Sequence, residues 1–216
     1  MIVLSRDLII VGASGHGKVA VDVANQMNKW ENIYFLDDND KLNEINGHKV
    51  IGNIDSAKEY KNGYDFFVAI GDNYIRQKVY NFLVKFDVNI ITLIHPNSTI
   101  SDSVLIGEGT IVMPGAVINA DSTVGKCCII NTSASIDHDN RIRDFVHISP
   151  GSNLGGNVIV ENMSWIGIGS TILNNVCIGE GIIIGASSLV LRSIKESGTY
   201  VGIPVQKSNK TYTIPK

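Results

Sequence analysis

The chemistry this sequence offers most directly sits on two histidines. His138 lies in Ser135-Ile-Asp-His-Asp-Asn140, between Asp137 and Asp139, and His147 lies in Phe145-Val-His-Ile-Ser-Pro150. A carboxylate beside an imidazole stabilises the imidazolium and can hold one tautomer. A general base needs both to take a proton from an attacking amine or hydroxyl. Any histidine on a long polar face also finds acidic neighbours, so a solvated cluster without function is the competing reading. A metal site needs three converging ligands. The only other histidine of this region is His95, at its far end, so no metal is expected.

A repeat positions both histidines. From Ile94 to Val190 an aliphatic residue falls at every sixth position: Ile94, Ile100, Ile106, Val112 and so on to Ile178, Ile184 and Val190. Neither a helix nor an alternating strand alone selects a period of six. A solenoid with three short faces per turn does, because one residue per face points into a shared core. Counting the inward residue as position one, position two is rich in Gly, Asn and Asp (Gly107, Asn119, Gly125, Asp137, Gly155). Those types tolerate the left-handed conformations that corners demand. Position five is small, as at Thr110, Ser122, Cys128, Ser152, Ser164 and Ser170. At eighteen residues per coil, the nine residues from His138 to His147 make half a coil. The two rings then project to opposite sides of one prism and can meet only across a subunit interface. The register leaves no long side loop, so the outer faces are free to pack on identical subunits.

The first half reads as alternating strands and helices. Leu8 to Val11 is a buried strand running into Gly12-Ala-Ser-Gly15-His-Gly17 and a helix from Lys18 to Met27. Further strands are expected at Ile33 to Leu36, Asp65 to Ile70 and Val88 to Ile94, with a helix from Tyr74 to Phe86. This order implies a parallel sheet with crossover helices. A Gly-rich strand-to-helix turn lets backbone approach a phosphate, and the helix N-terminus favours an anion. The spacing GxxGxG is a weak dinucleotide fingerprint. Asp37, about twenty residues on, could bond a ribose hydroxyl. So short a segment holds one mononucleotide-binding half, which favours a nucleotide or nucleotide-sugar over NAD. The same glycines also suit close packing of helix on strand, and Asp37 and Asp38 suit a solvated strand end.

A net charge of −3 and a pI near 5.9 argue against a nucleic-acid or anionic-membrane surface. Met1 to Asp7 shows no charged leader ahead of a long apolar run, so neither a signal segment nor membrane insertion is expected. Cys127, Cys128 and Cys177 form no CxxC and read as reduced thiols in a cytoplasmic protein. None has a neighbouring histidine in sequence, so no acyl-enzyme is expected.

The hexapeptide pattern resembles the left-handed β-helix acyltransferases, which assemble as trimers and bind acyl-CoA in grooves between prisms. Taken together, several motifs closely resemble the NeuD/PglD-like family of sugar acetyltransferases over nearly the whole chain. They are Gly12-Ala-Ser-Gly-His-Gly-Lys18, Phe35-Leu-Asp-Asp38, Ala69-Ile-Gly71, Leu93-Ile-His-Pro96, Ile130-Asn-Thr132, His138-Asp139, Asp144-Phe-Val-His-Ile-Ser-Pro-Gly151 and Tyr200-Val-Gly-Ile-Pro204. The resemblance implies a Rossmann-like α/β nucleotide-sugar-binding domain at 1–93, a left-handed parallel β-helix at 94–191 and a C-terminal tail at 192–216. It implies a cytoplasmic homotrimer with no bound cofactor and acetyl-CoA as co-substrate. The acceptor would be the amino group of a nucleotide-linked, UDP-type 4-amino-4,6-dideoxy sugar, on the way to bacterial glycans. By the same resemblance His138 is the base and Asp139, often Glu in relatives, raises its basicity. His147, Gly156, Ile168, Gly185 and Ala186 match the acetyl-CoA side, while Ser14, Gly15, His16, Asp37, Asp38 and Gly71 match the acceptor side. Arg143 stands where the pattern usually has Gly, and Ile203-Pro204-Val205 replaces Asn-Pro-Ala. A sialic-acid-type O-acetyltransferase and an inactive sugar-nucleotide-binding trimer are the competing expectations.

Overall fold

The computed structural model describes residues 6–209. Residues 1–5 of the leader reading and residues 210–216 of the C-terminal tail lie outside the described residues. The chain divides into two compact units at Pro96–Asn97.

The first unit is a parallel α/β sheet. β1 (Asp7–Val11) leads to α1 (Gly15–Met27), then β2 (Ile33–Leu36). A small antiparallel hairpin of β3 (Glu44–Ile45) and β4 (His48–Lys49) precedes a 3-10 turn at Ile54–Glu59. β5 (Tyr64–Val68), α2 (Asn73–Val84) and β6 (Asn89–Ile90) complete it. The sheet order is β2-β1-β5-β6, all parallel. The chain thus leaves β1 to one side and returns on the other, and the carboxyl ends of β1 and β5 flank the switch point where ligands of such sheets bind. Leu8, Ile9, Ile10, Phe66 and Phe67 are fully buried, as expected of a strand covered on both faces. The expected helix from Lys18 begins instead at Gly15, so the Gly-rich turn is itself the first helical turn. The strand expected over Val88 to Ile94 is interrupted, with Asn89–Ile90 and Leu93–Ile94 as separate short strands.

The second unit is a triangular prism of two-residue strands, each paired in parallel with the strand eighteen residues on. One face stacks Ile111–Val112, Ile129–Ile130, His147–Ile148, Trp165–Ile166 and Ile183–Ile184. A second stacks Thr99–Ile100 through Leu189–Val190 and includes Ser135–Ile136. The third stacks Leu105–Ile106 through Cys177–Ile178 and includes Arg141–Ile142. The inward aliphatics, among them Val112, Ile130, Ile148, Ile166 and Ile184, are fully buried. After Val190 the chain adds Thr199–Gly202 onto the first face and folds Val205–Lys207 back against it.

The corner chemistry differs from the expectation. From Gly109 to Ser187 the left-handed residues fall at position four of the hexad, among them Asp121, Ser133, Asp139, Phe145, Asn157 and Met163. Position two is glycine for another reason: a Cβ at Gly107 would lie 2.6 Å from the Gly125 carbonyl carbon, and one at Gly167 2.6 Å from the Ile184 oxygen. Coil-on-coil approach, not backbone handedness, selects glycine there.

Candidate active site

The turn between the second and third prism faces carries His138 and Asp139. His138 Nδ1 lies 2.7 Å from Asp139 Oδ2, and the two side chains are 60% and 59% exposed. The left-handed backbone of Asp139, with φ near 60°, suits Asp better than most residues. The shorter side chain therefore still reaches the imidazole. Asp137 Oδ1 accepts from the His138 backbone N–H at 2.9 Å and from Asn119 Nδ2 at 3.1 Å. These bonds hold Asp137 below the usual carboxylate range, the Asn119 bond first. The hydrogen bond to Asp139 and the nearby Asp137 charge raise the His138 pKa above its ordinary value. With Nδ1–H directed at Asp139, Nε2 is the basic nitrogen.

Gly156 sits one coil above. A Cβ there would come within 2.6 Å of His138 Nε2, so glycine is what leaves the imidazole room. The Gly156 carbonyl accepts from Asn175.

His147 is built differently. It lies on the first face, away from the corner that carries His138. It is buried, with Nε2 3.1 Å from Asn131 Nδ2 and its ring 4.3 Å from that of Trp165. Trp165 Nε1 in turn donates to Ser149 Oγ at 2.7 Å, and Asn131 Oδ1 accepts from the Thr132 N–H. Ile168 and Ala186 stack at the corner between first and second faces, Ile168 being 59% exposed. Gly185 lies beneath Val201, which a Cβ would approach to 2.7 Å. One prism therefore unites His138, Asp139 and Gly156, and separately His147 with Asn131 and Trp165, with Ile168, Gly185 and Ala186 at the adjoining corner.

In the first unit the candidate residues gather at the carboxyl ends of β1, β2 and β5. Gly12 has φ near 105°, and Gly17 lies so close to it that a Cβ would meet the Gly12 oxygen at 2.2 Å. Those two glycines serve helix-on-strand packing. Gly15 and Gly71 differ, because a Cβ at either would meet nothing within 4 Å. Ser14 caps α1 without a side-chain bond, and no acidic residue occupies the first turn, so the helix N-terminus keeps its affinity for an anion. Asp37 binds the turn itself: Oδ2 accepts from the Ala13 N–H at 2.6 Å and Oδ1 from the Asn39 N–H at 2.8 Å. Asp38 Oδ1 accepts from the Ile54 N–H. Both carboxylates are engaged by backbone rather than simply solvated.

Sequence reading passed over Arg76. It is fully buried, and its guanidinium donates to the Ile70 and Gly71 carbonyls at 2.9 Å and to Asn73 Oδ1 at 2.6 Å. It shapes the loop that carries Gly71. His16 Nε2 is sealed from solvent and bonds nothing among the described residues. Burial, then the Arg76 charge, lowers its pKa to about 3. Trp165 had a signal in sequence, lying one coil after His147.

A profile described as the PglD N-terminal domain matches residues 7–83. The acetyltransferase domain of PglB from Neisseria gonorrhoeae FA1090, in complex with acetyl coenzyme A, aligns with TM-score 0.92 at 35% identity, covering 94% of this chain and 100% of that chain. This chain belongs to the NeuD/PglD-like family of sugar acetyltransferases. Membership gives the prism its hand, that of the left-handed parallel β-helix. PerB from Caulobacter crescentus, in complex with CoA and GDP-perosamine, aligns with TM-score 0.89 at 33% identity over 94% of this chain and 97% of that one. The UDP-N-acetylbacillosamine N-acetyltransferase of Bacillus subtilis (strain 168) is 37% identical over 109 residues, 49% of this chain and 50% of that protein. The chain spans about half the length of the curated relatives it matches. Among the described residues no helix is long and apolar enough to cross a membrane.

Proposed function

We propose that this protein transfers the acetyl group of acetyl-CoA to the amino group of a nucleotide-linked 4-amino-4,6-dideoxy sugar, with UDP as the carrier, in the cytoplasm. The observation that carries the reading is the 2.7 Å His138–Asp139 pair on an open corner, with Gly156 leaving Nε2 accessible. The neutral amine attacks the thioester carbonyl and His138 Nε2 takes its proton. The tetrahedral intermediate expels CoA as thiolate, and the proton passes to that sulfur. The Gly156 N–H, which makes no hydrogen bond among the described residues, is the donor for the oxyanion. No acyl-enzyme is involved, since both substrates are held together for direct transfer.

The acceptor's diphosphate is assigned to the first turn of α1, with Ser14, Gly15 and His16 offering backbone N–H groups beside Gly71. His16, with its Nε2 sealed and unbonded among the described residues, acts through packing rather than through that nitrogen. Residues 1–93 thus hold the acceptor and residues 94–191 the donor. His147, Ile168, Gly185 and Ala186 take the acetyl-CoA side. Because His138 and His147 lie on different sides of one prism, a homotrimer completes the site, each His138 facing the His147 of a neighbouring copy.

The acceptor experiment is a panel of UDP-, GDP- and dTDP-linked amino sugars, with sialic acid as the hydroxyl acceptor, assayed with acetyl-CoA. Turnover highest with a UDP-linked 4-amino sugar is expected. Preference for a GDP-linked acceptor would replace the carrier in this reading. Acetylation of sialic acid alone would replace the amine by a hydroxyl, and no turnover at all would leave a binding protein.

A further inference from the structure

We propose that Asn140, buried inside the prism, is the positioning residue that holds the His138–Asp139 turn in its working geometry. This rests on the reading of His138 as the base.

At the fifth place of the hexads, side chains tie coil to coil. Ser122 Oγ donates to the Asp137 carbonyl at 2.7 Å, and Ser164 Oγ donates to that of Gly179 at 2.7 Å, each fifteen residues on. The same hydroxyls accept the N–H eighteen residues on, from Asn140 and Ile182 at 3.0 Å. A hydroxyl suits this place because it is small and uses both its donor and its acceptor.

Asn140 occupies that place in the coil of His138. Its Nδ2 makes the usual tie, to the Gly155 carbonyl at 3.0 Å. It also reaches back to its own turn, to the Asp137 carbonyl at 2.7 Å and the His138 carbonyl at 3.2 Å. One amide thus grips the carbonyls of the two peptides that flank the His138 Cα and links them to the coil that carries Gly156. The orientation is determined, since a flipped amide would set Oδ1 against three carbonyl oxygens.

This arrangement has a cost. Asn140 is fully buried and its Oδ1 has no hydrogen-bond partner. An unsatisfied buried acceptor costs about 1–3 kcal/mol. The same column holds Val158 and Val176 in the next coils, both buried, so an apolar residue fits the interior without that cost. A residue chosen for prism stability alone would be serine or valine. What asparagine adds is the grip on the backbone of the turn, whose two functional side chains are solvent-exposed and held by their bond to each other alone. The charged groups around the imidazole are Asp137 and Asp139 on its own turn and Asp121 one coil below Asp139. The residues stacked on His138 itself, Ala120 and Gly156, are uncharged.

The test compares Asn140→Val and Asn140→Ser with wild type in the full-length protein. The His138 pKa is read by NMR titration of 13C-labelled histidine, assigned with His138→Ala, alongside kcat, both KM values and the thermal midpoint. Serine keeps the coil tie and loses the grip, so both variants are expected to titrate His138 closer to 6.5. Misplacement of a catalytic group should lower kcat by roughly ten- to a hundred-fold with both KM values unchanged. The serine variant should keep its thermal midpoint, and it decides alone if the valine variant does not fold. A wild-type His138 titration in the folded variants overturns the proposal, whatever the midpoint does. Loss of activity in His138→Ala tests the base separately, so failure of that reading is distinguishable from failure of this one.

Discussion

In the prism, His138 stands exposed on a corner between two carboxylates. In the α/β unit, His16 is half-buried at the start of α1, its Nε2 sealed and a buried arginine close by. Both sit in regions assigned to substrate, yet their surroundings push them in opposite directions. Asp139 and Asp137 raise the first, while burial and Arg76 lower the second to about 3. Only the first can take up a proton near neutral pH. The second stays neutral near neutral pH, packed under the turn proposed to receive a phosphate, where an imidazole that protonated there would change the field. Proximity to a candidate site therefore does not make a histidine a base; its neighbours do.

The sharpest break of that contrast is removal of the exposed ring. His138→Ala is expected to lower kcat by roughly 10²–10⁴-fold, the range for a lost general base, with KM values little changed. The wild-type rate should rise with pH through an apparent pKa above 6.5, since the base must be neutral and its pKa is raised. Asp139→Asn should cost less in rate and move that limb downward, because it removes the largest cause of the shift. His147→Ala should instead raise the KM for acetyl-CoA. Co-expressed His138→Ala and His147→Ala chains, assayed at low acetyl-CoA, should recover about a quarter of wild-type activity if each site spans two copies of a trimer. No recovery would confine the site to one chain. A His138→Ala protein with wild-type kcat would remove the base from the mechanism.

The second break concerns the other region. Gly15→Val adds a side chain whose Cβ would meet nothing within 4 Å beyond its own helix and chain neighbours, so folding should be spared and the approach of a phosphate blocked. Loss of one charge-assisted hydrogen bond, about 1.5–3 kcal/mol, would raise the acceptor KM by roughly ten- to a hundred-fold. Acetyl-CoA affinity should be nearly unchanged. Equal loss for both substrates would refute the assignment of acceptor to the α/β unit and donor to the prism.

How far these sites were legible depends on the kind of constraint. The period of six is imposed by a shared core, repeats seventeen times and is visible in the chain itself. The His138-Asp139 pair is equally local, and its partners are neighbours in sequence. The role of position two is not legible in sequence, because Gly, Asn and Asp there are compatible both with a left-handed backbone and with a close approach of the next coil, and only the structure separates the two. Phe145 and Met163 stand left-handed at position four, against any residue-type rule, and both are buried. Asn140 and Arg76 escaped notice because their significance lies in carbonyls they bond, and backbone carbonyls leave no trace in sequence.

The smallest effect tests the half-buried ring of His16. With a folded pKa of about 3 against 6.5, His16 is neutral in the folded chain between those values while the unfolded chain takes up a proton. Stability from this group is present above pH 6.5 and is lost as pH falls through the window toward 3, because the unfolded state binds more protons there. His16→Gln removes that titration and keeps a polar side chain of similar reach. Urea midpoints for the two proteins, measured at steps from pH 7.5 to pH 4.5, cancel the carboxylates they share. The variant is expected to be the less stable at pH 7.5, and the gap should narrow as pH falls. Parallel curves across the window would mean that His16 protonates as easily folded as unfolded. Its ring would then be as accessible as that of His138, and the contrast between the two regions would fail at its buried end.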